Sequence, residues 1–258
     1  MRIMIPIRDE NPTLRTPVVT ILLLVALALV WIVVQGAGLD PAQLASSVCD
    51  LGLVPGEITH RAPLGEAVPI AQGLYCAVDA EPINYLTPLT SMFLHGGWGH
   101  LLGNGLFLWV FGNNVEDSMG RLRFLAFYLV CGLAAAALQI VVQPASPVPM
   151  VGASGAIAGV LGGYLVLYPR VRVHLLVPIF FFFTIIRVPA YLMLLYWIGL
   201  QVLVALPQLS SVNTDVSSGV AVFAHIGGFA CGAILVRFFA RRSRVEERDA
   251  IRHSLHPV

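Results

Sequence analysis

Lysine is missing from this chain, and all 15 basic residues are arginine. Charge of either sign is scarce: 11% of the 258 residues are charged and 57% are hydrophobic. Mean hydropathy is +0.82. A soluble domain of this size would carry about 25% charged residues, so the composition excludes one and predicts an integral membrane protein. The net charge of +1 gives no ground for a nucleic-acid partner. No Ala-x-Ala-like cleavage site closely follows the first apolar stretch, Pro17 to Val34. That stretch therefore reads as a retained helix and not as a removed signal peptide. Asp9 and Glu10 ahead of it argue against a mitochondrial presequence.

What is present is a series of apolar runs, each near the ~20 residues a bilayer core requires. Six spans are expected, at about 17–35, 95–115, 121–142, 150–168, 189–206 and 219–239. The fold class predicted is all-α, a polytopic bundle of six transmembrane helices occupying 17–240. A segment 1–16 precedes it, a Pro- and Gly-rich first loop occupies about 36–94, and a tail covers 241–258. The apolar stretch Val173 to Ile186 is short and bracketed by Arg172, Arg187 and Pro189, so it reads as interfacial or re-entrant. Arg121 and Arg123, then Arg170, Arg172 and Arg187, then Arg237, Arg241, Arg242 and Arg244 mark alternate links, while 143–149 and 207–218 hold no basic residue. Basic residues favour the cytoplasm, which places both termini there and requires an even number of spans. The tail mixes Arg with acids and is expected to be a short cytoplasmic segment lying on lipid headgroups, with His253 and His256 solvated.

Three polar side chains stand at a similar depth in the apolar helices. Ser154 lies in Val151-Gly-Ala-Ser-Gly-Ala-Ile-Ala-Gly159, and His225 in Phe223-Ala-His-Ile-Gly-Gly-Phe229. His100 lies in span two, with Asn104 four residues on and so on the same helix face. Spans two, four and six all enter from the outer side. At 1.5 Å per residue the three groups sit roughly 6–9 Å below that entrance. Polar groups are costly in lipid, and three at one depth call for an explanation. Small residues recur every four positions at Gly99 and Gly103, at Gly155, Gly159 and Gly163, and at Gly228 and Gly232. Such ridges let helices approach closely, in enzymes and in transporters alike.

Serine becomes a good nucleophile when a neutral imidazole takes its proton. No Asp or Glu lies mid-span at this level, so a Ser154–His225 dyad without an acid is expected, its imidazole oriented by packing. His100, Asn104 and the Ser154 amide, in a first turn without intrahelical acceptors, are suitable oxyanion donors. Gly152 would admit a substrate carbonyl.

At these residues the chain resembles the rhomboid intramembrane serine proteases. The matching pieces are His95-Gly-Gly-Trp-Gly-His100-Leu-Leu-Gly-Asn104, Gly152-Ala-Ser-Gly155, and Ala224-His-Ile-Gly-Gly228 with Gly232, across roughly 80–240. The resemblance implies a six-helix core, Ser154 as nucleophile, His225 as base, and His100, Asn104 and the Ser154 amide as oxyanion hole. It implies neither metal nor cofactor. The implied partners are membrane lipid and single-span membrane proteins cut in or near the span. It also implies a substrate gate at the fifth helix, which here carries Tyr191, Tyr196 and Trp197.

The chain departs from some relatives. Leu86 and Thr87 stand where a Trp-Arg pair occurs, and Ala158 where a Tyr packs on the imidazole. Phe223, Phe229 or Trp197 are the candidates to orient His225 instead. Cys49 and Cys76 fall in the outer loop and would be able to pair in an oxidising periplasm, while Cys131 and Cys231 read as packing residues. A bacterial cytoplasmic membrane is the expected location. Two other readings are a catalytically silent relative that binds membrane clients and a transporter. The first is opposed by the joint presence of Ser154, His225, His100 and Asn104. The second is opposed by the lack of a mid-span acid or Arg and of an inverted repeat.

Overall fold

The computed structural model describes residues 5–71, 74–79, 84–179, 182–210 and 221–255. The first two residues of the expected sixth span and His256 lie outside these, as does the side chain of His253. In chain order the elements are β1 (Ile5–Asp9), α1 (Val18–Leu29), α2 (Pro41–Leu51), α3 (Pro55–Ile58), β2 (Ala67–Ala71), β3 (Leu74–Ala77), α4 (Thr87–Thr90), α5 (Trp98–Phe107), α6 (Asn113–Met119), α7 (Arg121–Val142), α8 (Ser154–Leu167), β4 (Arg172–Ile179), β5 (Phe182–Pro189), α9 (Ala190–Ser210), α10 (Val222–Phe239) and α11 (Arg242–Leu255). A π-helical turn, Val30–Val34, extends α1, and another, Leu108–Gly112, joins α5 to α6.

Among the described residues, three helices are long and apolar enough to cross a membrane: Arg121–Val142, Ala190–Gln208 and Val222–Phe239. Two apolar helices are shorter, Val18–Val34 and Ser154–Leu167. Large apolar side chains stand exposed along these elements, among them Leu22, Val33, Leu122, Val141, Leu203 and Phe238. A protein in water would not leave so much apolar surface uncovered.

The centre of the molecule is α8. Every residue from Gly155 to Tyr164 is buried. A Cβ at Gly228 would lie 1.9 Å from the Gly155 carbonyl oxygen, and one at Gly232 would lie 1.9 Å from that of Gly159. Only hydrogen fits at these two crossings, so the glycine ridges of α8 and α10 interlock backbone to backbone. On the other flank of α8, a Cβ at Gly159 would lie 2.3 Å from the Cβ of Cys131 on α7. The ridge on α5 behaves differently. Among the described residues nothing lies within 4 Å of a Cβ built at Gly99 or Gly103, so the helix is open at these two positions.

The all-α expectation is corrected by a three-stranded antiparallel sheet, order β1-β4-β5, and by the two-stranded β2-β3 hairpin. The described part of the stretch Val173 to Ile186 is thus a pair of antiparallel strands, β4 and β5. Its Val, Ile, Phe and Thr residues suit a pleated surface, and it is too short to span as a helix. Polar contacts fix β1 beside it: buried His174 pairs with Glu10 (Nε2 to Oε1, 2.9 Å), and Arg8 Nε donates to His174 Nδ1 (3.4 Å). The described parts of the first loop hold α2, α3 and the β2 and β3 strands, and Cys49 and Cys76 are joined there by a disulfide between α2 and β3, with Cα atoms 5.4 Å apart.

The tail is helical over Arg242–Leu255. It forms α11 and docks on α6 and the C-terminal end of α8. Arg248, wholly buried, donates from Nη1 to the Asn114 carbonyl (2.7 Å), to Tyr168 Oη (2.6 Å) and to Ser118 Oγ (3.2 Å). Its Nη2 pairs with Asp117. Asp117 also accepts from the Leu14 N–H (2.8 Å) and Arg15 Nη1 (3.1 Å). Burial alone would raise the Asp117 pKa, but the Leu14 N–H and the Arg248 charge outweigh it and hold the carboxyl below its ordinary range. Neighbouring Glu116 accepts from the first-turn amides of α1, Val19 (2.9 Å) and Thr20 (2.8 Å), satisfying donors that have no intrahelical partner. The face opposite the site described next is therefore closed by a dense polar lock.

Candidate active site

A cavity of about 800 Å³ opens between α5, α8, α9 and α10. Ser154, His225, His100, Asn104 and Gly152 all line it. The three helices begin later than the sequence suggests. Ser154 is the first residue of α8, His100 the third of α5 and His225 the fourth of α10. The segment before Ser154 is extended, because Met150 pairs with Leu53 in a β-bridge and the Gly152 N–H donates to the Ser91 carbonyl (2.8 Å). Non-helical backbone at this depth is tolerated where it lines a cavity within protein. Convergence of the polar groups follows from this seating and not from a shared count of helical turns.

Ser154 Oγ lies 2.8 Å from His225 Nε2. On the far side of the ring, His225 Nδ1 lies 2.9 Å from Gln201 Oε1 on α9. The Trp197 ring, one turn before Gln201, packs on the imidazole with centroids 5.6 Å apart, and Phe229 backs Trp197 at 6.3 Å. Of the three aromatics named from sequence, Trp197 touches His225 and Phe229 acts through it. Phe223 belongs to a separate cluster with Ala205 and Val222. Ala158 is fully buried and offers the ring no aromatic face.

Gln201 was missed in the sequence. Its signal was an amide in the middle of an apolar helix, where a polar group demands a partner. A second glutamine chain supports the same region. Gln139 on α7 accepts from the Ala224 N–H (3.2 Å) and donates to Gln143 Oε1 (2.6 Å), and Gln143 donates to Gln208 Oε1 on α9 (3.4 Å).

The donors gather on the other side of Ser154. The Gly96 N–H points at His100 Nδ1 (3.3 Å), so that nitrogen accepts and the ring proton rests on Nε2. Asn104 is 8% exposed, and its Nδ2 has no hydrogen-bond partner. An unsatisfied buried donor is costly unless something arrives to use it. Gly152 has φ +127°, a conformation for glycine, and a Cβ there would lie 2.7 Å from His100 Nε2 and 3.6 Å from Asn104 Nδ2. Both donors therefore border the space that Gly152 leaves empty. The first-turn amides of α8, beginning with that of Ser154, open on the same end of the helix. His95 is fully buried, its ring set edge-on to His100 at 5.1 Å, and its main chain is bound on both sides by Gln35 (2.8 Å each). It supports His100 from behind.

The arrangement can do acyl-transfer chemistry: a hydroxyl on a neutral imidazole, with unpaired donors across from it. Among the described residues no three His, Cys, Asp or Glu side chains cluster in a way that could hold a metal ion. On α9, Tyr191 and Tyr196 are more than a third exposed and face outward. Leu86 is exposed near the outer end, whereas Thr87 is buried.

The sequence model of the Rhomboid domain matches residues 84–242, more than half of the chain, and includes every residue of this site. Similar proteins carry the same family name. "Rhomboid protease GluP" of Bacillus subtilis (strain 168) is 46% identical over 77 residues, 30% of this chain and 15% of its own length. "RHOMBOID-like protein 4" of Arabidopsis thaliana is 35% identical over 149 residues, 57% of this chain and 32% of its own. "Rhomboid-like protease 5" of Toxoplasma gondii is 33% identical over 156 residues, 59% of this chain and 16% of its own. The chain thus spans less than half the length of these relatives. With its apolar helices and a domain match centred on the cavity, the protein is an integral membrane protein and belongs to the rhomboid family.

Proposed function

We propose that this protein is an intramembrane serine endopeptidase that cuts single-span membrane proteins in or near their transmembrane segment. The observation that carries the reading is the 2.8 Å contact of Ser154 Oγ with His225 Nε2, facing the unpartnered Asn104 Nδ2. Protease-named relatives support it.

In the proposed reaction Ser154 Oγ attacks the scissile carbonyl carbon while its proton passes to His225 Nε2. The carbonyl oxygen becomes an oxyanion and takes hydrogen bonds from His100 Nε2–H, Asn104 Nδ2–H and the Ser154 N–H. The intermediate collapses, the C–N bond breaks, and His225 returns the proton to the departing amine. Water then attacks the acyl-enzyme with His225 again as base, releasing the acid and restoring Ser154. Ser154 and His225 are the catalytic residues in this reading.

The six-span topology with both termini cytoplasmic, in a bacterial cytoplasmic membrane, belongs to the same proposal and rests on arginine placement. The Cys49–Cys76 disulfide on the opposite side is in keeping with an oxidising exterior. Co-expression of wild type and Ser154→Ala with a doubly tagged single-span reporter tests the activity. Cleavage by wild type alone supports it, and cleavage by both refutes Ser154 as nucleophile.

A further inference from the structure

We infer that Gln201 is the positioning residue for His225: its side-chain oxygen holds the imidazole in the tautomer that leaves Nε2 free to accept the Ser154 proton. The inference rests on the protease reading of the Ser154–His225 pair and assigns the place of the missing acid to a neutral amide on a third helix.

The chemistry follows from counting protons. A neutral imidazole carries one N–H, so one ring nitrogen donates and the other accepts. Gln201 Oε1, 2.9 Å from Nδ1, is an acceptor and draws the proton to that nitrogen. Nε2 is then the lone-pair nitrogen facing Ser154 Oγ at 2.8 Å. Among the described residues, the Gln201 oxygen is the acceptor on that side of the ring that selects the tautomer. The other tautomer, with its proton on Nε2, cannot act as base toward Ser154.

An amide suits a site walled by apolar helices. A buried carboxylate would carry a large desolvation cost, whereas an amide satisfied by a hydrogen bond carries much less. The difference has a kinetic signature. A carboxylate would favour the imidazolium and raise the pKa of the base, while an uncharged amide does so far less.

Location adds a second consequence. Nucleophile, base and positioning residue lie on α8, α10 and α9 respectively. On α9, Gln201 stands one turn from Trp197, which packs on the same ring, and seven residues from Gln208, which accepts from Gln143. The outward side of α9 is exposed at Leu192, Leu195, Leu203 and Leu206. The base is therefore correctly held only while α9 is seated against α10.

The test compares purified wild type, Gln201→Leu and Gln201→Glu on the tagged single-span reporter, measuring kcat and KM from acid to alkaline pH. Gln201→Leu is expected to lower kcat roughly 10- to 100-fold, part of the 10²–10⁴ that general acid–base catalysis contributes, with KM within about twofold. Gln201→Glu keeps the acceptor. It is expected to restore turnover above that of Gln201→Leu and to move the acidic limb of the pH profile to higher pH. A packing role for Gln201 would leave the turnover of Gln201→Glu no higher than that of Gln201→Leu. Should Gln201→Leu not fold, Gln201→Asn, which keeps the amide but is one methylene shorter, is expected to give the same loss. Wild-type kcat and pH profile in Gln201→Leu, or in Gln201→Asn used in its place, would overturn the positioning role alone. Wild type that neither cleaves nor reacts with a fluorophosphonate probe would overturn the protease reading and this inference together.

Discussion

Ser154 Oγ and His225 Nε2 meet at 2.8 Å although 71 positions of chain separate them. The contact is made by backbone. Gly228 and Gly232 of α10 lie against the carbonyls of Gly155 and Gly159 with no room for a methyl group. The two side chains sit in the first turns of helices that are locked together immediately below.

That lock gives a first prediction. Gly228→Ala would place a Cβ 1.9 Å from a backbone oxygen, so α8 and α10 must separate. Overpacking of this kind costs typically 1–3 kcal/mol. The apparent Tm in detergent is expected to fall, and fluorophosphonate labelling of Ser154 with it. Unchanged Tm and labelling would show that the interface is not closed as described.

Asn104 offers an unpaired donor at the cavity. Asn104→Ala is expected to lower kcat about 10²–10³-fold with little change in KM, as for loss of one oxyanion donor. A matching rise in KM at constant kcat would assign Asn104 to ground-state binding instead.

Arg248 and Asp117 predict a stability effect remote from the site. Arg248→Met leaves the buried Asp117 carboxylate with the half-exposed Arg15 as its remaining guanidinium, and removing one partner of a buried pair costs up to about 3–5 kcal/mol. Thermal unfolding in detergent should report a large drop in Tm. A Tm equal to wild type would mean that α11 is dispensable.

Asp9 predicts how stability depends on pH. Its carboxyl is pushed up to about 7, chiefly by burial, although Tyr164 Oη (2.5 Å) and Asn114 Nδ2 (2.7 Å) donate to it. The folded state therefore keeps a proton that the unfolded chain has lost. This group's contribution is fully present below its unfolded pKa near 4 and is lost as pH rises through about 7. Asp9→Asn removes that dependence. The Tm difference between Asp9→Asn and wild type should widen in favour of the variant from pH 5 to pH 8, and parallel curves would contradict the assignment.

Much of the site was legible in the sequence because polar residues in apolar helices are conspicuous. Ser154, His225, His100 and Asn104 were named from that contrast, and the structure places all four at one cavity. Gly155, Gly159, Gly228 and Gly232 were readable as packing surfaces from their spacing. The same spacing misled at Gly99 and Gly103, since small residues that admit a neighbouring helix also leave a helix open, as at these two positions. Gln201 was overlooked because its partner sits 24 residues away on another helix, and periodicity carries no record of a hydrogen bond. The β4-β5 strand pair and the burial of Arg248 were hidden for a related reason: both depend on what the N-terminal strand and α6 supply from far along the chain.

The central claim is that Ser154, activated by His225, cleaves membrane-spanning substrates. The most direct measurement incubates purified wild type, Ser154→Ala and His225→Ala with a doubly tagged single-span reporter in lipid and reads cleavage beside fluorophosphonate labelling. The account predicts one cleavage product and one labelled serine in wild type, and neither in the two variants. Cleavage that survives Ser154→Ala, or a wild type that neither cuts nor labels, would contradict it.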